Sequence, residues 1–316
     1  MPAPAAVPAR FLQGPFRRDE LIAAGVSPKV LLGRRFRRVF PHVWAPDRDL
    51  SHPEMLQAAA LSLTSRARLS HVSRIQALGL DRGGTERLHF TVTGDLHIDI
   101  DGIFLHRTVL MPPTDDVGVT PAAAFVQCCA ELPVIELVVI GDWLVRRGHA
   151  TCEEIHDVSR LHPWRPGARE SRSVVPWLDG ASRSPRESEV RAMVLACGLP
   201  APEPNAPVFD EGGREVAIVD LLFRRWWFAV EYEGRQHADD PRQFARDIGR
   251  YADLRRLGME YLQITSSMLT SPRAAMTRLH AGLAARGYDG PPPSFGARWQ
   301  ALFEPVSPGR AGRAVR

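Results

Sequence analysis

Three carboxylates in one apolar stretch stand out as groups that could do chemistry: Asp220, Glu231 and Glu233. The run 215–223, EVAIVDLLF, reads as a strand. A tight connection, Arg224-Arg225-Trp226, leads to a second strand, 227–234, WFAVEYEG. So short a connection makes the pair an antiparallel hairpin. Alternation places Glu231 and Glu233 on one face, with Val230 and Tyr232 on the other. Asp220, on the partner strand, comes roughly alongside them.

Charged residues are unusual in strands this apolar. Two carboxylates about 4 Å apart repel by roughly 4 kcal/mol at an intermediate dielectric. Such a cluster is usually offset by a cation, a shared proton or a nearby Arg. A hard ion such as Mg²⁺ or Mn²⁺ fits all-oxygen donors. Bound there, it would activate water and stabilise charge on a phosphate, as phosphodiester hydrolysis requires. A solvated acidic face paired with Arg224, Arg235 or Arg246 is the alternative for any single acid. The three together, followed by Gln236-His237, favour a site. His237 either relays a proton there or bonds the sheet edge. Trp226 and Trp227 suit rim or core packing better than base stacking.

The segment 184–287 must position these groups. Ser184-Pro185 starts a helix that carries Glu187 in its first turn and ends at Gly198. Upstream, a connection over 166–183 is rich in Pro, Gly, Arg and Ser and holds at most a short helix. Residues 51–165 form an α+β middle domain with helices near 53–63 and 69–78, strands over 88–93 and 103–107, and further helices from Thr120, Val134 and Thr151. No catalytic cluster is evident there, and the histidines outside the hairpin segment are expected to be structural or exposed. Residues 14–50 read as two short helices, the first ended by Gly25 and the second started by Ser27-Pro28, then a basic hairpin. That is a winged-helix layout. A leader (1–13) and a tail (288–316) are expected to be mostly disordered. The fold class is therefore α+β: a winged helix, a middle domain and a C-terminal α/β domain.

The chain has 316 residues and a net charge of +4, which hints at an anionic partner. Nearly every basic residue is Arg, a bias that a GC-rich genome also imposes, so the charge alone decides little. No apolar run is long enough to span a membrane, and the N-terminus lacks a signal-peptide layout. Cys128, Cys129, Cys152 and Cys197 have no metal-ligand spacing and suit buried free thiols in a reducing cytoplasm.

The stretch IVDLLFRRWWFAVEYEGRQH resembles the core of the PD-(D/E)XK nuclease superfamily. It is closest to the very-short-patch-repair-like, restriction-endonuclease-like domains of unknown function found in many actinobacteria. The resemblance covers roughly 184–282. It implies that Asp220 and Glu231 bind the metal and that Glu187 is the helical acid. Glu233 would occupy the place of the superfamily's lysine, with Gln236 and His237 after the motif strand and Asp247 and Arg250 on the next helix. The missing lysine's positive charge would have to come from elsewhere, Arg235 or His237 being candidates.

The run FRRDELIAAGVSPKVLLGRRFRRVFPHVWAP resembles the winged helix of AbiEi-family type IV antitoxins. The stretches LSHVSRIQALGL and TPAAAFVQCCAELPVIELVVIGDWLVRRG resemble the body that follows it. That family binds operator DNA. The resemblance implies phosphate contacts from Lys29, Arg34, Arg35, Arg37 and Arg38. Two expectations follow. One is a Mg²⁺-dependent DNA endonuclease targeted by its N-terminal module. The other is a non-catalytic repressor with a toxin partner, its nuclease fold kept as a scaffold.

Overall fold

The computed structural model describes residues 6–84, 86–233, 249 and 251–306. Its elements are helices and three small sheets, one antiparallel and two mixed, so the class is α+β as the sequence predicts. Two compact units result, 1–124 and 125–316, against the expected divisions near 50 and over 166–183.

In the first unit, α1 (Arg10–Gln13) buries Phe11, so the expected disordered leader contributes to a core. After β1 (Phe16–Arg17) and α2 (Arg18–Ala23), the second helix of the sequence reading is a 3₁₀ turn, Pro28–Leu32. The Ser27 hydroxyl accepts the Lys29 N–H at its start. β2 (Phe36–Phe40) and β3 (Val43–Pro46) form the expected hairpin, and β1 pairs with β3. Phe11, Phe16, Leu21, Val26, Leu31 and Phe36 are the core beneath them.

The hairpin does not end its own domain. Phe40 and Val43 share a second core with Leu56, Ala59 and Leu63 of the next segment, and with Leu69, Leu88 and Phe90. That segment comprises α3 (His52–Ser62), β4 (Arg68–Leu69), α4 (His71–Ala77), β5 (Leu88–Thr93) and β6 (Ile103–Thr108). A capping box between Ser51 and Glu54 starts α3. The strand order is β4-β5-β6, and β5 and β6 run parallel.

The boundary between units falls inside α5 (Pro121–Cys128). The second unit continues with α6 (Val134–Arg146), α7 (Cys152–Leu161), α8 (Ala168–Val174) and α9 (Pro185–Ala196). The stretch expected to be a connection is built into this unit. Ala168, Ser171 and Val174 of α8 are buried. A Cβ on Gly167 (φ +85°) would lie 1.8 Å from the Val126 carbonyl oxygen, so only glycine permits that approach. α6 and α9 are joined by an ion pair in which both side chains are buried. Arg191 Nη2 lies 2.8 Å from Asp142 Oδ2 and also donates to the Trp177 carbonyl, 2.7 Å away.

The sheet of this unit holds β7 (Glu203–Phe209), β8 (Glu215–Phe223), β9 (Phe228–Glu233) and β10 (Glu260–Thr265), in the order β10-β9-β8-β7. The first three strands form an antiparallel meander; β10 is parallel to β9. Residues 251–256 are helical. α10 (Pro272–Ala285) follows the sheet. α11 (Ala297–Leu302) buries Trp299 and Leu302, so 297–302 of the expected disordered tail is a packed helix. No helix among the described residues is long and apolar enough to cross a membrane.

Candidate functional site

The 3₁₀ turn Arg224–Trp226 closes the β8–β9 hairpin, and Trp227 adopts a left-handed conformation just after it. The Trp227 indole donates to the Leu257 carbonyl, and Trp226 meets Tyr288 edge-on. Both rings are packing groups, as expected. The regular ladder runs Phe223↔Phe228, Leu222↔Ala229, Leu221↔Val230. Asp220 and Glu231 stand one residue beyond its last rung. There the Asp220 carboxylate replaces a backbone acceptor: its Oδ2 takes the Tyr232 N–H at 2.7 Å. The two acids of the expected metal pair are thus brought together where β8 and β9 begin to part.

The neighbouring strands extend this level. Asn205 of β7 lies between the rungs Pro204↔Leu221 and Ala206↔Val219, opposite Asp220. Gln263 of β10 is paired with Glu231. A row of polar side chains, Asn205, Asp220, Glu231 and Gln263, therefore crosses all four strands of the sheet. Glu187 joins from α9. Its Oε2 accepts from Asn205 Nδ2 at 2.6 Å and from the Arg183 N–H at 2.7 Å. Ser184 caps the same helix by accepting the Glu187 N–H.

Burial separates the acids. Glu231 is 3% exposed, Glu187 is buried and Asp220 is half-buried, whereas Glu233 is exposed at the end of β9. Glu231 and Glu233 therefore do not share one environment, although they alternate as expected. His237, Gln236, Arg235, Arg246, Asp247 and Arg250 lie outside the described residues.

The donors gathered here are oxygens, the class of ligand that hard divalent cations take. They include carboxylate oxygens, one of the acids being almost wholly withdrawn from water. Mg²⁺ binds through one or two carboxylates, keeping its other positions for water and substrate phosphate. Asp220 and Glu231 supply that number, and Glu187 is held through Asn205 in the same row.

In the first unit, Lys29, Arg34, Arg35 and Arg38 are exposed. Arg37 is half-buried, and its guanidinium donates twice to the Arg48 carbonyl, at 3.3 and 3.2 Å. It is a strut of the hairpin before it is a phosphate ligand. Leu32, next to these cations, is 86% exposed.

A second cluster went unread in the sequence. His71, His89 and His106 each present a ring nitrogen, all within 4.8 Å of one another. They are neither scattered nor exposed: His71 is buried and the other two are half-buried. Strand parity puts His89 and His106 on one face of the parallel pair β5–β6, where Thr91 is the residue paired with His106. Only that pairing, and the start of α4, brings the three together. Among the thiols, Cys128, Cys129 and Cys197 are buried, Cys152 is half-buried, and all are free. Burial pushes each of them above its ordinary value, away from thiolate chemistry.

No family model matches the chain. Two proteins of Mycobacterium tuberculosis, from strains CDC 1551 and H37Rv, both described as uncharacterized, are each 28% identical to it over 189 residues. Each match spans 59% of this chain and 69% of the relative. The chain is similar to these mycobacterial proteins, and its function has to be argued from the site.

Proposed function

We propose that the chain is a metal-dependent DNA endonuclease whose N-terminal winged-helix-like segment delivers it to DNA. The observation that carries this reading is the meeting of Asp220 and Glu231 where β8 and β9 part, within a polar row across the four strands. Asp220 and Glu231 would hold Mg²⁺ or Mn²⁺, and the ion would supply an activated water and charge stabilisation for the scissile phosphate. Asp220 is fixed for this task by the Tyr232 N–H, which donates to one of its carboxylate oxygens. Asn205 holds the Glu187 carboxylate against the sheet, so that helix α9 contributes negative charge at the same level. The exposed cations Lys29, Arg34, Arg35 and Arg38 would neutralise backbone phosphates, which sets affinity and leaves sequence choice to other contacts.

Supercoiled plasmid incubated with Mg²⁺ tests the proposal. The wild type should nick or linearise it, while Asp220→Asn and Glu231→Gln should each slow cleavage by at least about a hundredfold. Equal cleavage by all three proteins, or none by the wild type on duplex, single-stranded and mismatched DNA, would refute it.

One observation favours a second reading. Glu233 is exposed and anionic where the resembled superfamily carries lysine. A DNA-binding repressor that keeps the nuclease fold as a scaffold, with a toxin as partner, would need no cation there. It predicts salt-sensitive binding to the DNA upstream of its own gene without turnover.

A further inference from the structure

We propose that His71, His89 and His106 form a binding site for a first-row transition-metal ion, with Zn²⁺ the reference case. The site belongs to the first unit and does not depend on the nuclease reading. Three neutral imidazoles are a recurrent ligand set for Zn²⁺, with the fourth position left to water or another ligand.

The geometry carries the inference. The His71 and His106 rings stack with centroids 3.5 Å apart, and His89 lies 5.1 Å from His106 and 5.8 Å from His71. His89 Nδ1 and His106 Nε2 are 2.9 Å apart, in hydrogen-bond contact. An ion at Zn–N distances of about 2.0–2.1 Å needs nitrogens about 3.3 Å apart. The observed set, all within 4.8 Å, therefore closes onto an ion by ring rotation, without movement of the strands.

The surroundings are arranged for orientation. The Ser70 hydroxyl lies 2.9 Å from His71 Nδ1, so a proton shared there leaves Nε2 as the ligand atom. The Ser73 hydroxyl accepts the backbone N–H of His89 and fixes β5 against α4. Phe104 walls the site, with its ring 4.5 Å from His106. Burial pushes all three rings below their ordinary basicity, His89 to about 4 and His106 to about 3. His71 also adopts φ +51°, a conformation costly for a residue with a Cβ. Strain of that kind collects at ligand sites.

The test uses the full chain carrying Asp220→Asn and Glu231→Gln, so that uptake at the carboxylates is silenced. Zn²⁺ is titrated by calorimetry, and Co²⁺ is followed by its visible absorption. One ion should bind per chain, with the intense visible bands of low-coordinate Co²⁺. Losing a neighbour that only orients a ligand costs 10–100-fold in affinity. Loss of a ligand itself, in His89→Gln or His106→Gln, should exceed about a hundredfold, with the circular dichroism unchanged. Should these variants not fold, X-ray absorption of the Zn²⁺ complex decides on the intact triad: scattering from three imidazoles supports the site, and oxygen-dominated ligation overturns it. Absence of uptake, or equal uptake by the folded histidine variants, would also overturn it.

Discussion

Replacing Arg191 with methionine keeps the length of the side chain and removes its charge. In the folded protein Arg191 Nη2 reaches both Asp142 oxygens, at 3.0 and 2.8 Å, and the Trp177 carbonyl. Arg191→Met leaves Asp142, 1% exposed, with the Asp179 N–H and the Ser188 hydroxyl as its remaining partners. Breaking one side of a buried pair costs about 3–5 kcal/mol. At roughly 2–4 °C per kcal/mol for a unit of this size, the melting temperature should fall by about 6–20 °C. Burial already holds Asp142 above the usual carboxylate range, outweighing the attraction of Arg191, and losing Arg191 raises it further. A raised acid makes the native state hold more protons than the unfolded one. The variant should therefore regain stability as pH falls through the window from its raised pKa down to the ordinary Asp value. Asp142→Asn combined with Arg191→Met should be less damaging than Arg191→Met alone, because no buried charge is stranded. Urea unfolding followed by tryptophan fluorescence reads this unit, since Trp44 is the one tryptophan outside 125–316. A cost of Arg191→Met under about 1 kcal/mol, or a double variant that costs the sum of its singles, would refute the coupling of α6 to α9.

Three further outcomes are expected. Gly167→Ala should cost roughly 3 kcal/mol or more in the same assay, since it combines a left-handed backbone with a Cβ pressed on the Val126 carbonyl; a loss within about 0.5 kcal/mol would show that this approach is soft. Burial raises Glu131 to about 7 from an ordinary 4.5, so the native state binds the extra proton between those values and stability declines as pH rises through them. Glu131→Gln should flatten that decline, worth at most about 3 kcal/mol between pH 5 and 8, and an unchanged slope would count against it. In DNA binding, Arg34→Ser with Arg35→Ser should lower the salt dependence by about two counterions' worth, while Arg37→Ser, tied to the Arg48 carbonyl, should lower it by less; equal effects of all three would contradict the strut role of Arg37.

What the sequence made legible follows from contrast. Asp220 and Glu231 were readable because acids interrupt apolar strands, and a three-residue connection leaves one way to pair them. Asn205 and Gln263 carry the same signal more faintly, as single polar residues in short strands. β7 was missed because Pro204 and Pro207 argue against a strand, yet it is the sheet's edge, where proline is tolerated. The histidine triad left no trace in spacing: residues 71, 89 and 106 meet only because β5 and β6 run parallel, and no local pattern states that. Composition showed the short helix of 166–183 but not its burial, and missed the helix within 288–306, for a related reason. Proline and glycine recur in both stretches, and a few buried side chains (Ala168, Val174, Trp299, Leu302) decide their structure.

The core shared by Phe40 and Val43 with Leu56, Leu63 and Phe90 bears on how such a protein can be inherited. A segment cut out at residue 50 would carry the basic hairpin away with half of its apolar underside bare. Gene fusions and transplants that move this hairpin between proteins should therefore break near residue 120, before α5 begins, and the smallest piece able to travel is the first unit up to that helix, histidine triad included.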